Sequence, residues 1–352
     1  MEFAYVERAA PRTNALTRRE NVMHKLELCC ELSANHLGSL ERALDIADAA
    51  ADAGADLFKV QVWSPGTMCL DRAYTLDSGP WKGRKLFDLY EEAWTPWDWL
   101  PTIKARCEAR GMEFFGAAFD RESVDYLEIL HVKRQKVASF ELTDLPLIRY
   151  MASKGKPMIL STGMATQDEV TAAYMVAESS VRPDQIMRLK CVSAYPAKPS
   201  EINLWETAIW GSGWGLSDHT MGIGVSIAAV ARGAVYVEKH LTLARTDGGP
   251  DAGFSMEPAE FKQLVAECRR VGEAMDGDQS RRGGGPTKSE STALRRSLYV
   301  YQDTAKGEKL ILNGNIRTAR PAKGLPPGTD ISSAYASRAL LSGEPLTEEC
   351  IA

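Results

Sequence analysis

Residues 26–62 read LELCCELSANHLGSLERALDIADAAADAGADLFKVQV, and this stretch decides the architecture. Leu26–Leu32 is a short apolar run of strand type. Ser39 then stands where a helix N-cap belongs, Leu40–Ala53 is amphipathic, and Gly54 follows as a stop. Asp56–Val62 is the next strand. The same rhythm continues outward. Strands are expected at Met112–Ala118, Gln135–Ala138, Pro157–Ser161, Ile186–Val192, Gly213–Ser217 and Ala234–His240. Helices are expected at Arg121–Leu130, Leu145–Ser153, Gln167–Ser179, Ile223–Arg232 and Pro258–Met275. Eight strand starts within about 250 residues, with helices between most of them, predict a closed (β/α)8 barrel. A doubly wound open sheet is the rival. No GxGxxG follows the first strand, which argues against its dinucleotide-binding form.

The whole chain has 352 residues, 44% hydrophobic and 25% charged, an ordinary globular composition that excludes wholesale disorder and a coiled-coil rod. No apolar run approaches the ~18 residues of a membrane span. The net charge of −5 carries no nucleic-acid footprint. Cys29, Cys30, Cys69, Cys107, Cys191, Cys268 and Cys350 are scattered without a CxxC pair. They form neither a disulfide framework nor a zinc site, and a reducing cytoplasm is expected. Residues 1–25 carry Arg8, Arg12, Arg18 and Arg19 but no apolar core of a secretory signal, and are expected to be a flexible extension. The domain organisation expected is therefore a barrel over 26–275, a Gly- and Ser-rich linker over 276–293, and a small domain over 294–352. That last domain shows β-like runs at Ser297–Tyr301, Leu310–Leu312 and Asn315–Thr318.

A barrel of this kind places its active site at the C-terminal ends of its strands. Polar residues collect there: Glu31; Lys59 and Gln61; Lys136, Ser139 and Glu141; Ser161; Cys191, Ser193 and Tyr195; Ser217 and His219; Glu238 and His240. Singly, each has a bland explanation as a solvated charge, a helix cap or a hydrogen-bonded core group. Jointly, two lysines and several hydroxyls at one mouth suit a phosphate. Two histidines on neighbouring strands suit a divalent metal with positions left open for substrate. The combination points to metal-assisted chemistry on a phosphorylated molecule.

The ordered motifs go further. Glu31-Leu-Ser-Ala-Asn-His36, Gly54-Ala-Asp-Leu-Phe-Lys-Val-Gln61, Lys136-Val-Ala-Ser-Phe-Glu141, Gly155-Lys-Pro-Met-Ile-Leu-Ser-Thr-Gly163, Gly215-Leu-Ser-Asp-His-Thr220 and Glu238-Lys-His240 resemble the sialic acid synthase family. That family includes the pseudaminic, legionaminic and N-acetylneuraminic acid synthases. In the tail, Arg295-Arg-Ser-Leu-Tyr-Val300, Lys306-Gly-Glu308 and Asn315-Ile-Arg-Thr-Ala-Arg-Pro321 resemble the family's antifreeze-like (SAF) domain. Leu89-Tyr-Glu-Glu-Ala-Trp-Thr-Pro-Trp-Asp-Trp99, Phe140-Glu-Leu-Thr-Asp144 and Thr246-Asp-Gly-Gly-Pro-Asp251 are most similar to the pseudaminic branch.

The resemblance implies condensation of phosphoenolpyruvate with an acetamido-sugar aldehyde, releasing phosphate. It implies that Lys59, Lys136, Ser139, Ser161, Ser193 and Ser217 hold phosphoenolpyruvate. Gln61, Tyr195 and Asp251 would face the sugar, with Glu31, Glu141 and Asp251 as the catalytic carboxylates. His219 and His240 would hold a divalent metal, Mn2+ or Mg2+. A homodimer is implied, in which Arg320 of one chain reaches the sugar of the other. Trp63, Trp81, Trp94, Trp97 and Trp99 are candidates for an apolar wall against a 6-deoxy sugar, or for core packing. Two departures stand out: Ala117 and Val192 replace residues that usually carry hydroxyls in this family. The alternatives are a neighbouring synthase of the family, a Schiff-base aldolase using Lys59 or Lys136, and a sugar-binding protein without catalysis.

Overall fold

The structure is a computed structural model, and it describes residues 25–275 and 292–352. Nearly all of the expected N-terminal extension and linker lies outside the described residues. The described chain forms two compact units, one up to residue 275 and one from residue 292.

The first unit is a closed barrel of eight parallel strands in sequence order: β1 (Glu27–Glu31), β2 (Leu57–Val62), β3 (Glu113–Ala118), β4 (Gln135–Val137), β5 (Met158–Ser161), β6 (Ile186–Cys191), β7 (Gly215–Ser217) and β8 (Tyr236–His240). β1 pairs with β8, with Glu31 opposite His240, which closes the ring. Around it run α1 (Leu40–Ala53), α2 (Pro65–Met68), α3 (Leu86–Ala93), α4 (Leu100–Ala109), α5 (Arg121–Ile129), α6 (Leu145–Ala152), α7 (Gln167–Glu178), α8 (Pro199–Ile202), α9 (Gly224–Ala231) and α10 (Pro258–Met275).

Local chemistry sets these boundaries. The Ser39 side chain accepts the Arg42 N–H at 3.2 Å and starts α1. Gly54, at φ +89°, ends it in a left-handed conformation that a side chain would strain. Ala43, Ile46, Ala47 and Ala50 lie on one helical face and are fully buried. On the strands, alternate residues face opposite sides. Phe58, Val60 and Val62 pack in the main hydrophobic core, each contributing about 1.5–3 kcal/mol of burial. Lys59 and Gln61, between them, point the other way. On β2 one alternating pattern thus gives an apolar outer face and a polar inner one, while Phe115 and Leu189 face inward on β3 and β6.

The sequence reading left residues 63–111 unassigned, and there the chain forms α2, α3 and α4. It also brings Thr75 and Lys85 together in an antiparallel bridge. The connection between β6 and β7 is built from α8 and a 3-10 stretch, Leu204–Trp210. Among the described residues, no helix is long and apolar enough to cross a membrane.

The second unit pairs β9 (Ser297–Val300) with β10 (Ile316–Ala319), antiparallel, over a small core that includes Leu298, Val300, Leu310, Ile316 and Leu346. Leu310–Leu312 is not a strand, which corrects the expectation for that run. Its backbone groups go to several partners: Leu310 N–H donates to the Ala334 carbonyl at 2.9 Å, Ile311 N–H to Asn315 Oδ1 at 2.8 Å, and Leu312 forms a lone bridge with Ile316. These groups are satisfied by different partners, so no continuous ladder forms.

Close approach of β7 to its neighbours depends on one missing methyl group. A Cβ at Gly215 would sit 2.6 Å from Leu189 Cδ2 and 2.8 Å from the Tyr236 backbone oxygen. Gly215→Ala is therefore expected to cost about 1–3 kcal/mol through overpacking. Urea denaturation should show the lowered midpoint; an unchanged midpoint would mean that β7 is not held this tightly.

Candidate active site

Four charged side chains meet inside the barrel. Lys59 Nζ lies 2.5 Å from Glu31 Oε2 and 3.2 Å from Glu238 Oε1. Lys136 Nζ lies 3.3 and 3.4 Å from the two oxygens of Glu238. Because β4 and β8 stand on opposite sides of the ring, that contact runs through the interior. Tyr236 Oη and Ser217 Oγ also donate to Glu238, at 2.8 and 3.2 Å. None of the four charged groups is more than 3% exposed.

Burial would raise the Glu238 carboxyl, but Lys136 and Lys59 outweigh it and hold Glu238 far below the usual range. Burial dominates at Glu31 and raises it, against the pull of Lys59. Lys59 is held cationic: burial works against the ammonium, but Glu238 and Glu31 raise it above its ordinary value. Lys136 is lowered by burial, with Lys59 opposing the help it gets from Glu238. A persistently cationic Lys59 suits an anion and is a poor amine nucleophile, which counts against a Schiff base there.

Beside the lysines lies a cradle of hydroxyls. Gly163 N–H donates to Ser139 Oγ at 3.2 Å. A Cβ on Gly163 would lie 2.3 Å from Ser193 Oγ and 2.8 Å from Ser139 Oγ, so the cradle exists only because this residue is glycine. The Ser161 and Ser193 hydroxyl oxygens are buried with no partner among the described residues, as donors awaiting a ligand would be. Ala117 sits opposite Gln61 and Lys136 in the ladder and offers this region only a methyl group.

The two histidines stand at the ends of β7 and β8, with ring centres 5.3 Å apart. His219 Nδ1 lies 3.0 Å from the Val192 carbonyl oxygen, which orients the ring. His240 Nδ1 is buried without a hydrogen-bond partner among the described residues, 3.8 Å from Asp251 Oδ2. Burial, then the charges of His219 and Lys59, push His240 well below the usual imidazole range and keep it neutral, the form that ligates metals. An orphaned neutral imidazole beside a second imidazole fits a divalent cation. Among the described residues, no group of three or more His, Cys, Asp or Glu side chains has metal-ligand spacing, so protein would supply two donors and leave the other positions open.

These groups open into one cavity of about 420 Å³. Lys59, Gln61, Lys136, Ser139, Glu141, Ser161, Tyr195, Ser217, His219, His240 and Asp251 all line it. Glu31 supports Lys59 from behind, and Ser193 lies at Gly163. Arg320 belongs to the C-terminal unit, just after β10. Burial pushes Glu141 up to about 7, and its Oε2 is unpartnered. Asp251 is also raised by burial, while Ala34 N–H donates to it at 3.3 Å.

Most of the apolar lining comes from residues 63–93, through Trp63, Met68, Tyr74, Leu76, Trp81, Leu86, Leu89 and Tyr90, with Phe119, Phe140 and Phe254 added from elsewhere. Trp81 is fixed by a hydrogen bond to the Pro250 carbonyl at 2.8 Å. Trp97 instead stacks on Tyr126, and Trp99 packs edge-on to His36. Sequence reasoning gave Glu238 no role. The signal was present, since Tyr236, Glu238 and His240 alternate on one strand and must share a face.

The fold and site together define a barrel enzyme that receives an anion at the C-terminal mouth of its strands. The chain belongs to the NeuB family, whose profile matches residues 46–280. It is 35% identical to the pseudaminic acid synthase of Campylobacter jejuni, over 87% of this chain and 90% of that one. It is 33% identical to an N,N'-diacetyllegionaminic acid synthase of the same species, over 86% and 92%. Among solved structures, an N-acetylneuraminic acid synthetase from Leptospira borgpetersenii superimposes with a TM-score of 0.65 at 28% identity, covering 76% of this chain and 89% of that one. The chain is accordingly a phosphoenolpyruvate-condensing, carbon–carbon bond-forming synthase of the nonulosonic acid type.

Removing the charge of Glu238 leaves two buried ammonium groups with less compensation. Glu238→Gln keeps the shape, and is expected to destabilise the barrel by about 3–5 kcal/mol. Chemical denaturation of the variant checks this; stability within 1 kcal/mol of wild type would show that the lysines are neutralised elsewhere.

Proposed function

We propose that the enzyme joins phosphoenolpyruvate to 2,4-diacetamido-2,4,6-trideoxy-L-altrose, giving pseudaminic acid and phosphate. The observation that carries this reading is the two-sided cavity. Its floor is cationic and hydroxyl-rich, and its apolar wall is aromatic and aliphatic. The floor suits the phosphate and carboxylate of phosphoenolpyruvate. The wall suits a sugar that has exchanged a hydroxyl for a methyl group and carries acetamido methyls. The resemblance to pseudaminic acid synthases supports the same choice.

In this reading Lys59 and Lys136 neutralise the anion, and Ser139, Ser161, Ser193 and Ser217 supply donors to its oxygens. The methylene carbon of phosphoenolpyruvate attacks the aldehyde carbon. Water adds, with loss of a proton, to the carbon that bears the phosphate, and the tetrahedral species expels phosphate to leave the keto group. His219 and His240 would hold a divalent cation, Mn2+ or Mg2+, which when bound supplies Lewis-acid polarisation of the aldehyde. Gln61, Tyr195 and Asp251 position the sugar. Glu141 and Asp251 line the cavity and are the carboxylates available for proton exchange, whereas Glu31, expected beside them, acts through Lys59. Glu141, near 7, can both give and take a proton at neutral pH.

Phosphate release measured with phosphoenolpyruvate, Mn2+ and a panel of acetamido-hexoses tests the assignment. At least tenfold faster turnover is expected with the 2,4-diacetamido-6-deoxy sugar than with N-acetylmannosamine. The reverse order would move the enzyme to another branch of the family.

The proposal extends to assembly. The motif around Arg320 resembles the antifreeze-like domain, and a homodimer is inferred in which this arginine reaches the partner's sugar. Mixing Arg320→Ala chains with His219→Ala chains should partly restore activity, because one mixed dimer then holds one intact site. No recovery despite demonstrated subunit exchange would exclude sharing. We place the reaction in the cytoplasm, where phosphoenolpyruvate is made; all seven cysteines are unbridged, in keeping with a reducing compartment.

A further inference from the structure

A second buried ion pair lies on the outer face of the same two strands that carry the histidines. On β8, Glu238 and His240 face the interior, so Lys239 between them faces the helix layer. It is 1% exposed. Its Nζ lies 3.3 Å from Asp218 Oδ2 and donates to the carbonyl oxygen of Thr220. Asp218 in turn accepts from Thr220 N–H at 2.9 Å and Thr220 Oγ1 at 2.7 Å. It also accepts from Ser226 Oγ, on α9, at 2.6 Å. Lys239 therefore grips the residue before His219 and the residue after it.

The rest of the histidine is tied down as well. Its carbonyl accepts Ala197 N–H at 3.1 Å, and its Nδ1 faces the Val192 carbonyl. The ends of β6, β7 and β8 form one stitched block, with Lys239 the charged member on its outer side. Stability is a weak reason for such a pair. Burying two charges costs several kcal/mol per ion, and apolar replacements of buried pairs are often neutral or better. What the pair supplies is a conformation: residues 218–220 cannot relax while both of their ends are bound to Lys239.

We propose that Lys239, through Asp218 and Thr220, is a positioning residue for the cation site, setting His219 at its separation from His240. The inference rests on the assignment of the two histidines as cation ligands. Groups that orient metal ligands commonly contribute 10–100-fold to metal affinity.

The test is Mn2+ binding to the full chain without substrates, followed by electron paramagnetic resonance. Phosphoenolpyruvate binding without metal is followed separately by calorimetry. Lys239→Met, which keeps bulk and removes charge, should weaken Mn2+ at least tenfold while phosphoenolpyruvate affinity stays within twofold. Ser226→Ala, which removes one bond to Asp218, should weaken Mn2+ about two- to fivefold with the same selectivity. It decides the matter if Lys239→Met fails to fold. Wild-type Mn2+ affinity in the folded variants overturns the inference, and so does a parallel loss of both ligands, which marks a general packing defect. His219→Ala separates the two levels. If it abolishes Mn2+ binding while Lys239→Met binds normally, only the positioning role fails. If it leaves Mn2+ affinity intact, the ligand assignment fails and this inference falls with it.

Discussion

The interior of the barrel depends on the contact between Glu238 and the two lysines. Two carboxylates and two ammonium groups are withdrawn from water there, at a desolvation cost of several kcal/mol per ion. Glu238 touches both Lys59 and Lys136, and Glu31 completes the set from the neighbouring strand. Their mutual attraction makes a charged core tolerable. It also leaves Lys59 cationic, desolvated and fixed in direction before any substrate arrives. An anion entering the cavity therefore meets its partners already oriented, the circumstance in which electrostatic stabilisation is most effective.

The same alternation that buries these charges separates two kinds of surface. Inward residues such as Lys59, Lys136 and Glu238 give the cavity its charged floor, and outward residues such as Phe58 and Val60 give the core beneath the helices. The apolar wall over the floor has a different origin. Most of it is carried by the connection from β2 to α4, which leaves the barrel, forms α2 and α3, and returns across the mouth. Charged groups held by strand ends and apolar lining held by one long connection can vary independently, as barrels allow.

The repeating strands and helices were legible in the sequence because each has its own period and its own stop. Ser39 and Gly54 around α1 are examples of signals that act within a few residues. Residues 63–111 were not legible in this way. Pro65 and Pro101 stand in the first turns of α2 and α4, but α2 spans only four residues and α3 eight, too few for a helical period to declare itself, and much of their apolar surface lines the cavity. Leu310–Leu312 looked like a strand by composition, but Asn315 captures the Ile311 N–H in the middle of the run and leaves Leu312 with only a lone bridge. Single-residue chemistry there overrode the pattern.

For the site, the sequence by itself determined which groups stand at the strand ends and, through its ordered motifs, the class of reaction. It could name Lys59, Lys136, His219 and His240 because position along a strand sets which end and which face a residue occupies. Only the tertiary structure decided that Lys136 meets Glu238 across the ring, that Gly163 opens space for the serine cradle, and that His240 keeps an unpartnered nitrogen. Those facts depend on which strands become opposite neighbours when the sheet closes. Closure is a long-range event, set by packing of the whole helix layer, and no local stretch of chain encodes the distance between residues 136 and 238.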